Sequence, residues 1–252
     1  MGASHGYFPV KNWIHWVSLA IFFLLLLGAL LVFLFGMVAT FVAVRRHGPA
    51  MIDDTLTGPL VIAFILFVLG FLAGWSAVAT WNKGVAAYEG GFAYNDRKGI
   101  QIWRWEDVVS MMSAITRHYT IGIYSGTTHM YTLYNCQNQR LVLSDFFDKV
   151  EELAKLIDEN IFPLLYGPAA DQYNAGQAIA FGPVTISKTG IAIGKKIYPW
   201  TDVSEVSIHQ GILKVSRKEG SWFSGASAAA SSIPNLRVLL TIIQQVVGLK
   251  AG

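Results

Sequence analysis

The chain has 252 residues, of which 53% are hydrophobic and 14% charged, and its formal net charge is +3. That length suits one or two domains, and the composition is too apolar for an ordinary soluble protein. The mild charge offers no concentrated basic stripe for nucleic acid, and the single cysteine, Cys136, excludes an internal disulfide and fits a reducing compartment.

From Trp13 to Val44 there is no Asp, Glu, Lys or Arg, and a second apolar run covers Pro59 to Trp81. A helix needs about 20 apolar residues to cross the hydrocarbon core, so the spacing predicts two membrane helices over about 13–44 and 59–81. The first run is too long for a signal-peptide core. Trp13, Trp16, Trp75 and Trp81 lie near the run ends, where aromatic side chains favour the membrane interface. Gly28, Gly36, Gly70 and Gly74 permit close helix approach, with Gly70 and Gly74 in a GxxxG spacing. The loop between the runs, "RRHGPAMIDDTLTG", offers Arg45 and Arg46. The opposite side offers Lys11, Lys83, Arg97 and Lys98, so the positive-inside rule puts both termini and the globular part in the cytoplasm, at the inner membrane.

After Trp81 the texture changes to short alternating runs broken by glycine and Asn/Asp pairs, which read as antiparallel strands. "NDRKG" and "NCQNQ" read as hairpin loops. A helix follows, with Ser144 or Asp145 as its cap, Val150, Leu153, Ile157 and Ile161 on one face, and Gly167 and Pro168 as its stop. "YGPAADQYNAG" reads as a linker. The plan then repeats: strands, then a helix capped by Ser232, with Pro234 in its first turn and Gly248 at its end. The expected organisation is therefore a membrane hairpin over residues 1–83 and two α+β domains over 84–166 and 176–250.

The repeat has a register. Trp105, Asp107 and Val108 in "RWEDVV" recur as Trp200, Asp202 and Val203 in "PWTDVS", 95 positions later, and Gly99, Ile102 and Trp103 align with Gly194, Ile197 and Tyr198. The tryptophan is expected to pack in each core, and the aspartate carboxylate to accept backbone hydrogen bonds where a strand begins. The first copy carries an extra hairpin, "ITRHYTIGIYSGTTHMYTLY". The second carries a small-residue stretch, "SGASAAASS".

Strands followed by one closing helix, with a W-x-D-V entry to a central strand, resemble the pleckstrin-homology-like (PH-like) superfold in its bacterial membrane-associated versions. Together with two membrane helices, "ITRHYTIGIYSGTTHMYTL" and "FGPVTISKTGIAIGKKIYPWTDV", the chain resembles a family of uncharacterised bacterial membrane proteins labelled DUF6585. The resemblance implies two tandem PH-like domains, each a bent barrel of about seven strands plugged by its helix.

No catalytic frame accompanies the repeat. Neither aspartate has an obvious partner base or nucleophile, His118 and His129 are two ligands and not a metal site, Cys136 has no catalytic context, and no GxxxxGK[ST] is present. The expectation is no enzyme, no cofactor and no metal. The chain reads instead as a membrane-held scaffold for another membrane protein or complex, with self-association left open. Interaction surfaces are sought where the copies differ: Ile121, Tyr124 and Met130 in the extra hairpin, and Trp222 and Phe223 in "GSWFSGAS". Alternatives are a reader of anionic lipid headgroups through Arg97, Lys98 and Arg104 in one copy and Lys188, Lys195 and Lys196 in the other, or an envelope-stress regulator.

Overall fold

The computed structural model describes residues 1–121, 123–218 and 225–246. Trp222 and Phe223 lie outside the described residues. The chain divides into two units: one comprises Met1–Phe8, Val85–Ala93 and Ile102–Gly252, the other Pro9–Gly84 and Tyr94–Gln101.

In the second unit, α1 (Asn12–His47) and α2 (Met51–Thr80) form an antiparallel pair. Both are long and apolar enough to cross a membrane. The sequence suggested a fourteen-residue loop between them, whereas α2 begins at Met51 and only Gly48 to Ala50 connect the helices. Asp53 and Asp54 in the first turn complement the positive end of the helix dipole. Thr55 and Thr57 hydroxyls donate back to the Met51 and Asp53 carbonyls, at 2.6 Å each, which holds this polar turn helical. The glycines are spent within the pair. A Cβ on Gly36 would strike Pro59, one on Gly74 would strike Phe22, and Gly70 lies against Leu25. At one end Thr55 bonds Thr40 (3.2 Å); at the other, His15 Nδ1 meets Thr80 Oγ1 at 3.3 Å.

The strands form two four-stranded and two three-stranded sheets. Strands β1 (Ser4–Pro9), β2 (Gly84–Tyr88), β3 (Gly91–Asp96) and β4 (Gly99–Arg104) make one four-stranded sheet in that order. A 3-10 turn at Trp105–Asp107 leads into a three-stranded sheet of β5 (Val108–Thr120), β6 (Ile123–Asn135) and β7 (Arg140–Ser144), and α3 (Val150–Asn174) follows. The second set has a four-stranded sheet of β8 (Ile179–Phe181), β9 (Val184–Ser187), β10 (Gly190–Ile193) and β11 (Lys196–Pro199). Its three-stranded sheet is β12 (Val203–His209), β13 (Ile212–Arg217) and β14 (Ala226–Ala229), and α4 (Leu236–Val246) closes it. Neighbouring strands pair antiparallel in the β5–β6–β7, β8–β9–β10–β11 and β12–β13–β14 sheets.

Four expectations need correction. The first sheet takes its edge strand, β1, from ahead of both long helices, and not from within 84–166. The first copy has no additional hairpin: β5–β6 is the counterpart of β12–β13, lengthened to strands of thirteen residues against seven and six. Neither Ser144 nor Asp145 caps α3, which starts at Val150 after Lys149 in a left-handed conformation. Nor does α3 stop at Gly167 and Pro168. It carries Pro163 and Pro168 inside it because the stripe Phe162, Tyr166, Ala169 and Tyr173 packs against the second core. Burial of that face outweighs the hydrogen bonds the prolines forgo. The supposed linker is thus the second half of a helix shared by both copies.

Candidate interaction surfaces

The duplicated phrase has a matching geometry in each copy. Trp105 Nε1 donates to the Glu89 carbonyl at 2.7 Å, just past β2; Trp200 Nε1 donates to the Ser187 carbonyl at 2.8 Å, at the end of β9. Trp105 is buried and tilted against Phe92, whereas Trp200 is half-buried against the second core. Val108 and Val203 are buried, each opening a strand. The aspartates act through the main chain: Asp107 O accepts the Cys136 N–H and Asp202 O the Lys218 N–H, both at 2.8 Å. Their carboxylates do not take the expected backbone bonds. Asp107 Oδ1 meets Cys136 Sγ at 3.8 Å, and Asp202 meets Thr201 and Arg217. A further matched feature escaped the sequence reading. A Cβ on Gly91 would collide with the Trp103 carbonyl oxygen, and one on Gly190 with that of Tyr198. Glycine here lets one strand cross closely over the next.

The copies part at the β5–β6 hairpin. Pairing runs from Val108↔Asn135 to Thr120↔Ile123, but β7 supports β6 only from Met130 to Tyr134. Residues beyond that point form a two-stranded arm. Ile115, Tyr119, Ile123 and Tyr124 are exposed on it, and Ile121 at the tip is 96% exposed with φ of 52°. A β-branched residue seldom adopts that conformation. Tyr119 and Tyr124 meet edge to face at 6.0 Å, and His118 Nε2 bonds Thr128 Oγ1 at 2.7 Å. Met130 sits at the root of the arm, 42% exposed.

Beneath the root, His129 is held from both sides. Its Nδ1 lies 3.1 Å from Asp145 and its Nε2 3.2 Å from Glu151, while its backbone N–H donates to Asp145 Oδ2. The ring therefore has no hydroxyl or thiol partner. The phenol of neighbouring Tyr131 is pushed up, first by burial and then by the Glu151 and Asp145 charges. No group of three or more potential metal ligands occurs among the described residues.

Tyr131 and Glu151 also line a groove of about 830 Å³ between α3 and α4, floored by Met111, Ile161, Phe162 and Val238. Asn235 closes one end. Its Oδ1 accepts the Met111 N–H at 2.9 Å, its Nδ2 donates to the Val109 carbonyl at 3.0 Å, and its own N–H reaches the Met111 carbonyl at 2.8 Å. One residue from the second copy thus satisfies a stretch of open edge on β5. Arg237, two positions on, bonds Asp158 at 2.7 Å and lies 4.2 Å over Phe162.

The basic residues separate into distinct settings. Arg104 pairs with Glu106 at 3.3 Å. Lys188 and Lys195 are exposed on turns of the second copy, and Lys196 is exposed at the start of β11. In the helical unit, Arg97 lies over the Trp75 ring at 4.6 Å, with Lys98 beside it.

No curated protein matches the sequence. A family model, described as a family of unknown function (DUF6585), matches residues 9–250, and the chain belongs to that family.

Proposed function

We propose that this protein is a non-catalytic interaction module held at a membrane by α1 and α2, with the β5–β6 arm as its contact for another membrane protein. In this reading each four-plus-three set of strands with its helix is a PH-like barrel, and the two barrels stand in tandem. The observation that carries it is the difference between two hairpins built on one plan. The second hairpin ends where its sheet ends; the first continues without a third strand and displays isoleucine and tyrosine. Folding gives no reason for that arm, since its apolar side chains are exposed and its tip is strained. Its open edges also suit strand addition by a partner. The two carboxylates that occupy both ring nitrogens of His129 support a non-catalytic role.

The test is to shorten the arm to the length of β12–β13 in the full chain. The melting temperature should hold while crosslinking to a membrane partner in cells disappears. Crosslinking that survives would refute the arm as the contact. Orientation has a test that needs no mutation, because Cys136 is exposed and is the sole cysteine. If the globular part faces the cytoplasm of a bacterial cell, an impermeant maleimide should label Cys136 only after the inner membrane is opened.

A further inference from the structure

Charge in the helical unit is unevenly placed. At the connecting-loop end, Arg45 and Arg46 are offset by Asp53 and Asp54; at the other end Lys11, Lys83, Arg97 and Lys98 face a single acid, Asp96. That acid is engaged in shaping the turn, since its Oδ1 accepts the Lys98 backbone N–H at 2.7 Å. Among the described residues no carboxylate pairs with Arg97 or Lys98. The turn is docked on the end of α2. Asn95 Nδ2 donates to the Asn82 carbonyl at 2.8 Å, and the Arg97 guanidinium lies 4.6 Å from the centre of the Trp75 ring. The same end displays Trp13, Trp16, Trp75 and Trp81, all more than half exposed.

These features belong together chemically. Exposed tryptophans at the ends of apolar helices sit at headgroup depth. A guanidinium laid on an indole face is fixed in orientation and keeps its N–H edges free, and that planar fork matches phosphate oxygens. An adjacent ammonium adds a second point charge. Below Trp75, exposed Phe71 and Leu72 continue the apolar surface along α2, which an acyl chain can follow and a soluble phosphate cannot. We propose that Arg97 and Lys98, set against Trp75, bind the phosphate of an anionic phospholipid and so fix the β3–β4 turn at the bilayer surface. The inference rests on the reading that α1 and α2 cross a membrane. It narrows the headgroup site to one turn and leaves Arg104, Lys195 and Lys196 outside it.

The experiment uses full-length protein in nanodiscs of phosphatidylcholine, with and without phosphatidylglycerol, and native mass spectrometry of the lipid retained on release. Wild type should retain phosphatidylglycerol in preference to phosphatidylcholine. Arg97→Gln with Lys98→Gln should weaken that retention about fivefold per charge, roughly thirtyfold together. Lys195→Gln with Lys196→Gln removes the same charge from the second copy and should leave retention unchanged. Equal loss in both double variants, or no loss in the first, would overturn the site. Inorganic phosphate binding the protein in phosphatidylcholine alone, and lost with Arg97 and Lys98, would overturn the lipid as its ligand. Extraction of the wild-type protein from membranes by alkaline carbonate would sink the membrane reading and this inference with it. An integral protein without lipid preference sinks only the inference.

Discussion

The two hairpins β5–β6 and β12–β13 start from the same phrase and end differently. Val108 and Val203 both open a buried strand after a tryptophan anchored to a backbone carbonyl, and Leu133 and Val215 occupy matching core positions at 0% exposure. Within the part covered by the third strand, Tyr131 and Leu213 are likewise buried at matching positions. Beyond it the first hairpin carries five exposed apolar or aromatic residues (Ile115, Tyr119, Ile121, Ile123 and Tyr124), and the second turns at Gln210 and Gly211. The comparison separates what the fold requires from what it tolerates. The shared part is architecture, and the excess is where a function can reside.

The largest expected effect breaks the shared part. Trp105→Ala removes a buried aromatic with a satisfied N–H and should cost about 3–5 kcal/mol, read by denaturant unfolding. Trp200→Ala should cost less, because Trp200 is half-buried. Equal costs would mean that the copies do not differ as their burial says. Next comes the bond between copies. Asn235→Ala leaves the Met111 N–H and Val109 carbonyl without their side-chain partner and should cost about 1–3 kcal/mol. A neutral result would show that water replaces the amide freely.

The third prediction reverses sign. Ile121→Asn relieves a left-handed conformation that costs a branched side chain about 1–2 kcal/mol, so the variant should melt higher while crosslinking falls. Lower stability would show that the tip is not strained. The smallest effect concerns pH. Tyr131 occupies the place of Leu213 in the second copy, by the registers that pair Val108 with Asn135 and Val203 with Arg217. Its phenol is held above the ordinary 10.0, so the folded state keeps the proton that the unfolded chain releases sooner. That contribution is intact below pH 10.0 and is lost as pH rises through the folded value. Melting temperature should therefore drop more steeply in strong alkali for wild type than for Tyr131→Phe.

Much of the architecture was legible because it is local. The apolar runs, the turn at "NDRKG" and the register of the tryptophan phrase each depend on neighbours in sequence. The misses depend on distant partners. β1, "SHGYFP", is too short to announce a strand and pairs with a segment on the far side of two long helices. Gly167 and Pro168 in α3 read as a stop, although Phe162, Tyr166, Ala169 and Tyr173 continued a helical stripe that could have signalled otherwise. Asn235 drew no attention in the sequence, and only the fold shows that its amide serves β5. The surface residues fared unevenly for the same reason: Ile121 and Tyr124 lie on an arm that sequence could locate, whereas Arg97 and Arg104 differ only through Trp75 and Glu106.

The central claim is that the lengthened hairpin, and not its counterpart, meets a partner. Site-specific photocrosslinking in cells tests it most directly, with the photoreactive residue placed at Ile121 in one variant and at Gln210 in another. One discrete adduct with a membrane protein is expected from position 121, lost when the arm is shortened, and none from position 210. Equal adducts from both tips, or none from Ile121, would contradict it.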